Sequence, residues 1–173
     1  MSEQKPEKKE IVPRPEEYFQ QFNGADIDPS IFRIKGKDMS EYAKAIGETD
    51  PKYVAETPKE GEKADYSKIE AHPAFAATYT VPAMVKAIDL KGSDGAPMVL
   101  NVGKLLHTGQ DYDFTGCDAL KDGEKVYTKS KLGKLFIKGD ILWIPVNMVC
   151  QNKEATKTYC KALITVGIRK GGY

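Results

Sequence analysis

The run TYCKALITVGIR, Thr158 to Arg169, alternates one residue at a time. Cys160, Ala162, Ile164, Val166 and Ile168 fall on one side, and Lys161, Thr165 and Arg169 on the other. Successive side chains of a strand point to opposite faces, so this period demands a strand with one face on a core. The preceding run, DILWIPVNMVCQN, repeats the pattern through Leu142, Ile144, Val146 and Met148. Pro145 interrupts it and predicts an edge position or a bulge, because proline donates nothing to a ladder. Two further strand-like runs, Met98–Phe114 and Glu124–Gly139, stand before these, with breaks at GCDALKDG, KGD and QNKEA. The last part of the chain therefore reads as an antiparallel sheet of about four strands.

The apolar partner of that sheet lies upstream. In AHPAFAATYTVPAMVKAIDLKG, Ala71–Gly92, Pro73 and Pro82 forbid one unbroken helix. Thr80 is the expected cap of a second segment with Pro82 in its first turn; Val81, Met84, Val85 and Ile88 would share a face there, with Ala83 and Ala87 widening the apolar surface. A shorter helix, Met39–Ile46, is predicted further upstream. Asp38 and Glu41 have capping-box spacing, Met39, Tyr42, Ala43 and Ile46 make one apolar face, and Gly47 is the stop. A strand over Ile31–Lys35, a short helix within Arg14–Gly24 and a polar loop over Ala55–Glu70 complete the reading. Helices come early and strands late, which predicts an α+β fold: one antiparallel sheet curled around one apolar helix.

A chain of 173 residues, 40% apolar and 29% charged, can bury a real core. Residues 1–14, rich in Lys, Glu and Pro, are expected to be a disordered tail before a domain over 15–173. A net charge of +1 offers no basic field for nucleic acid. No apolar run approaches the roughly 18–20 residues of a membrane span, and the opening MSEQKPEKKE has no apolar segment of a secretory signal. A cytoplasmic location is expected. Cys117, Cys150 and Cys160 form no CxxC pair and the two histidines are far apart, so no metal site is expected and the thiols are read as reduced and packed in strands.

The stretch most suggestive of chemistry is KDMSEYAKAIGETDPKYV, Lys37–Val54, where Glu48, Asp50 and Tyr53 follow the glycine stop. Here the chain resembles the MaoC-like dehydratases of hot-dog fold, and in particular their N-terminal-type half. EYAKAIGETDPKYV is similar to that half's FARAIGDxNPxY segment, and AHPAFAATY to its APPTFPA turn into the central helix. LLHTGQDYDF, ALKDGEKVYTKSKL and TYCKALITVGIR then resemble its later strands, in order, over roughly Ile31 to Arg169.

The resemblance implies reversible hydration of enoyl thioesters carried on coenzyme A or acyl carrier protein, with no further cofactor. Active members hold water with the Asp and His of a D-x-N-P-x-H loop. Laid on that loop, Glu48 stands at the Asp position, Asp50 at the Asn position, Pro51 at the Pro position and Tyr53 at the His position. Histidine titrates near 6.5 and tyrosine near 10, so a phenol there is a poor proton acceptor at neutral pH. Either the loop is a scaffold, with Tyr53 packed beneath the helix, or it is a modified site in which His72, at the entry to the central helix, replaces the missing base. Glu48, Tyr53 and His72 are thus the candidate catalytic residues. Asp50, His107, Gln110, Tyr79 and Phe75 are the candidate substrate-binding residues. Tyr79, Tyr112 and Phe114 line an acyl channel or simply fill the core. Lys129, Lys131, Lys134 and Lys138 are a basic rim for phosphate or an acidic carrier, or a plain solvated strand face.

In the family, two such halves usually pair into one continuous sheet. Three functions follow as expectations. The first is a tunnel-shaping subunit whose hot-dog partner supplies the Asp/His pair. The second is a homodimeric hydratase using Glu48 with His72 or His107. The third is a module that binds acyl thioesters without turning them over.

Overall fold

A computed structural model of the chain describes residues 12–173. Most of the tail expected over 1–14 lies outside them, but Arg14 is held: its guanidinium donates to the Pro97 carbonyl at 2.8 Å and lies 4.2 Å over the Tyr18 ring.

The strands are β1 (Asp26–Arg33), β2 (Leu105–Asp113), β3 (Lys125–Leu132), β4 (Phe136–Lys138), β5 (Ile141–Gln151) and β6 (Thr158–Arg169). All pairings are antiparallel, in the order β1-β3-β5-β6-β2, with β4 also on β5. The alternating runs behave as their period requires. Leu142, Ile144, Val146, Met148, Ala162, Ile164, Val166 and Ile168 are all buried. β1 begins at Asp26, well before the expected Ile31, because a bulge between Ile27 and Ser30 lets the irregular DIDPS segment stay on the ladder.

Pro145 lies neither on an edge strand nor at a bulge. It sits in the interior of β5, opposite Thr165 of β6. On the other side Gly133 donates its N–H to the Pro145 carbonyl at 2.8 Å. Gly133 falls in the break between β3 and β4, so the missing proline N–H points where no ladder bond is needed.

The central helix also departs from expectation. A 3-10 turn over Pro73–Ala76 runs straight into α3 (Ala77–Val85; α1 and α2 follow below), and a further turn, Lys86–Asp89, continues it. Thr80 is therefore not a cap, and Pro82 stands inside the helix. The Thr80 hydroxyl donates back to the Ala76 carbonyl at 2.8 Å and lies 2.9 Å from the Tyr112 hydroxyl of β2. The residue that does cap the segment is His72, whose Nδ1 accepts the Ala74 N–H at 3.2 Å. The buried stripe of the helix is Ala76, Tyr79, Thr80, Ala83 and Ala87, with Met84, while Val85 is 43% exposed. The alanines and the threonine let the helix approach the sheet closely, and Tyr79 and Met84 are the large side chains buried with them.

The short α1 (Glu16–Phe19) and the turn Gln20–Phe22 bury Phe19 and Phe22. α2 spans Gly36–Ala45 and starts earlier than the capping box placed it; Asp38 makes no capping bond. Instead Asp122, from the turn before β3, accepts the Gly36 N–H at 2.6 Å. Only glycine fits there, because a Cβ would collide with the Tyr66 side chain. The stop is as expected: Gly47 has φ +83, and Gly47 and Glu48 donate to the carbonyls of Lys44 and Ala43, each at 3.0 Å.

Two buried clusters result. One joins Phe19, Phe22 and Met84 to the centres of β5 and β6. The other joins Met39 of α2 and Phe75 and Tyr79 of the central helix to Cys150 and Cys160. These cysteines are cross-strand partners and are buried; Cys117 lies in the turn after β2, not in a strand. Among the described residues no helix is long and apolar enough to cross a membrane.

Candidate functional site

The loop after α2 is built by its own polar groups. Glu48 Oε1 accepts the N–H groups of Thr49 at 2.8 Å and Asp50 at 2.9 Å. Asp50 Oδ1 accepts the Lys52 N–H at 2.8 Å, and the Asp50 carbonyl accepts those of Tyr53 and Val54. This is an Asx turn closing into a single helical turn. Its far end is tied to α2 by Ser40, whose buried hydroxyl accepts the Ala55 N–H at 3.0 Å.

Folding brings Glu48, Tyr53 and His72 together. Glu48 Oε2 lies 3.7 Å from His72 Nε2, and both side chains are about a quarter exposed. The Tyr53 ring meets the His72 ring edge to face, with centroids 5.0 Å apart at 77°. Because His72 Nδ1 accepts a backbone N–H, its neutral ring carries the proton on Nε2, facing the carboxylate. The N–H groups of Asp50 and Thr49, with His72 beside them, hold the Glu48 carboxyl below its usual value.

A cavity of about 220 Å³ opens beside this group, lined by Tyr53, His72, Tyr79, Phe114, Cys117 and Tyr159 among others. Lys52 and Glu70 also line it and pair at 3.3 Å, and the Glu70 contact raises the Lys52 pKa.

The other candidates divide. Tyr79 touches the cavity but is 3% exposed, and its hydroxyl lies 3.4 Å from Cys160 Sγ. Burial and that thiol push its pKa up, so the phenol stays protonated. Phe75 is buried against Tyr42 at 5.5 Å and does not line the cavity. The Asp50 carboxylate is engaged in its own turn. His107 and Gln110 lie on the edge strand β2, opposite Val166 and Ile164. Neither lines the cavity, and His107 makes no ion pair with Glu48 among the described residues. Gln110 is instead linked to the central helix, since its Oε1 accepts the Tyr112 hydroxyl at 3.4 Å. Tyr112 lies outside the cavity, whereas Phe114 lines it. Lys129 and Lys131 lie on the outer face of the sheet, and Lys134 and Lys138 are exposed in and beside the short β4.

Sequence reasoning missed Cys117, Asp118 and Tyr159 in the cavity wall and the Lys52–Glu70 pair at its edge. GCDALKDG carries only the signature of a break, and nothing local in Tyr159 distinguishes it from a core tyrosine. Among the described residues no group of three or more His, Cys, Asp and Glu could hold a metal ion.

Chemically, Glu48 offers a fixed carboxylate as proton acceptor and His72 an oriented imidazole N–H as donor; His72 and Tyr53 line the cavity, whereas Glu48 does not. The 3.7 Å separation is longer than a formed hydrogen bond, so the pair is close without being locked together.

Comparison with known structures agrees with this architecture. The C-terminally truncated HadBC (3R-hydroxyacyl-ACP dehydratase) complex from Mycobacterium tuberculosis matches with a TM-score of 0.58 at 15% identity, over 84% of this chain and 96% of that one. R-hydratase PhaJ1 from Pseudomonas aeruginosa matches with 0.58 at 14% identity, over 86% and 82%. The ChsH1-ChsH2 complex, also from Mycobacterium tuberculosis, matches with 0.55 at 16% identity, over 84% and 85%. At such identities the likeness is one of fold, the hot-dog fold of the MaoC-like dehydratases. No curated protein matches the sequence. The family described as "FAS1-like, dehydratase domain region" matches residues 21–157, well over half of the chain. The chain belongs to that dehydratase family.

Proposed function

We propose that this chain is a subunit of an enoyl-thioester hydratase or (R)-3-hydroxyacyl-thioester dehydratase. It shapes the acyl tunnel while a hot-dog partner supplies the Asp/His pair. The observation that carries this reading is Tyr53. By the sequence resemblance it stands at the position of the active members' histidine, and its ring lies edge to face with His72 at the cavity wall. The exposed edge strand β2 is a second support, because an unpaired ladder edge is where a partner sheet can continue. HadBC and ChsH1-ChsH2 are both described as complexes. The substrate is an acyl thioester on coenzyme A or acyl carrier protein, and the chemistry calls for no further cofactor.

The test is to assay hydration of a short trans-2-enoyl thioester by this chain alone and with a hot-dog subunit bearing an intact D-x-N-P-x-H loop. Tight association, with turnover only in the mixture, is expected. Full turnover by the isolated chain overturns the reading.

The 3.7 Å approach of Glu48 and His72 favours a second reading, a self-sufficient hydratase. Glu48 accepts the proton of a water whose oxygen adds at the β-carbon. His72 Nε2–H protonates the α-carbon and is then reloaded from Glu48. Here Glu48→Gln and His72→Ala each abolish turnover by the chain alone. Thioester binding without turnover, alone and with any partner, identifies the binding module instead.

A further inference from the structure

The face of the sheet turned away from the central helix carries a pattern that the candidate site does not use. Cα register runs unbroken across it, Asp26–Lys131–Asn147–Leu163–Asp111 in one row and Lys129–Val149–Lys161–Asp113 in the next. These residues line a shallow depression of about 670 Å³, larger than the cavity beside Glu48. Val149 is 38% exposed at its centre with Leu163 beside it.

The charges on this face are sorted. Lys129 and Lys131 stand on β3, while Asp111 and Asp113 stand on β2 with β5 and β6 between. None of these four forms an ion pair among the described residues. With Lys161 and Asp26 the face carries as many cations as anions. It has no net charge to attract nucleic acid or an acidic carrier; Asp26 beside Lys131 and Lys161 beside Asp113 weaken the polarity between β3 and β2 without reversing it.

A surface of that kind is complementary to itself. A two-fold axis parallel to the strands, between β5 and β6, lays β3 of one copy over β2 of the other. In the retained rows Lys129 then faces Asp113 and Lys131 faces Asp111, twice each. Lys161 crosses Val149 of the other copy with its aliphatic stem. Aligned sheets pack about 10 Å apart with side chains interdigitating, which fills the space between the rim residues.

We propose that this outer face is an isologous interface with a second copy of this chain, separate from any pairing through the β2 edge. The inference does not depend on the functional reading, and its test measures no activity.

The experiment uses the full chain and two variants, Lys131→Glu and Asp111→Lys. Neither side chain makes a hydrogen bond among the described residues, and Asp113 is spared because it accepts the Thr115 N–H at 2.8 Å. Sedimentation equilibrium at low salt reads the mass, and circular dichroism confirms that each variant is folded. Each variant alone should show half the wild-type mass, its dissociation constant weakened about tenfold or more by two like-charge contacts. A one-to-one mixture should regain the full mass, because the carboxylate introduced at position 131 of one chain then meets the ammonium introduced at position 111 of the other. The double variant in one chain should regain it too. A monomeric wild type, an unchanged mass in either single variant, or a mixture that stays at half mass overturns the proposal. Restoration of mass only by an added hot-dog subunit overturns it as well and assigns the face to that subunit.

Discussion

The loop after α2 and the edge strand β2 are both rich in polar residues, yet they use them in opposite ways. In the loop the polar groups serve one another: Glu48 holds Thr49 and Asp50, Asp50 holds Lys52, and Ser40 holds Ala55. On β2 the side chains of His107 and Asp111 stand exposed on a strand with a neighbour on one side only. The loop is complete within its own chain. The edge leaves one side of its ladder without a neighbouring strand. A residue's chemistry therefore counts for less than whether its partners are already present.

The sharpest way to break this contrast is to give the loop the base it lacks. Tyr53→His is expected to raise enoyl-thioester hydration by the isolated chain about a hundredfold, the scale of one added general base. No change would mean that the site depends on groups beyond the loop. Next in size is the tie between loop and helix. Ser40→Ala strands the buried Ala55 N–H and should cost about 1–3 kcal/mol in denaturant unfolding. The mirror experiment on β2, His107→Ala with Gln110→Ala, should shift folding stability by less than about 0.5 kcal/mol, as for surface positions generally, while weakening capture of a hot-dog partner.

The smallest effect concerns pH. The folded Glu48 carboxyl titrates below its ordinary value of 4.5, so the unfolded chain binds its proton first as pH falls. The contribution is full above that ordinary value and is lost as pH drops through the lower, folded one. Loop amide protection measured by hydrogen exchange should fall in that window. Glu48→Gln should flatten the pH dependence.

The legible parts of this protein were those whose physics is local. β5 and β6 followed from their period, the end of α2 from Gly47, and the layer arrangement from the order of elements. The errors share one cause. Asp38 had the spacing of a cap, yet Asp122, distant in sequence, took its place. Val85 had the hydrophobicity of an inward face, yet it is 43% exposed while Ala83, Met84 and Ala87 are buried. Pro145 signalled an edge or a bulge, yet the gap between β3 and β4 made room for it in the middle of the sheet.

The candidate site divides the same way. The loop residues were visible as a group because they are neighbours in the chain. The sequence left His72 and His107 both open as the partner of Glu48, and the cavity wall of Cys117 and Tyr159 was not visible, because these join separate elements. By itself the sequence determined periodicity and turn chemistry, since each depends on backbone geometry within a few residues. Tertiary structure alone decided which helix face lies inward, which groups satisfy distant N–H donors and which acid meets which imidazole. Those outcomes depend on close packing between segments that no local pattern encodes.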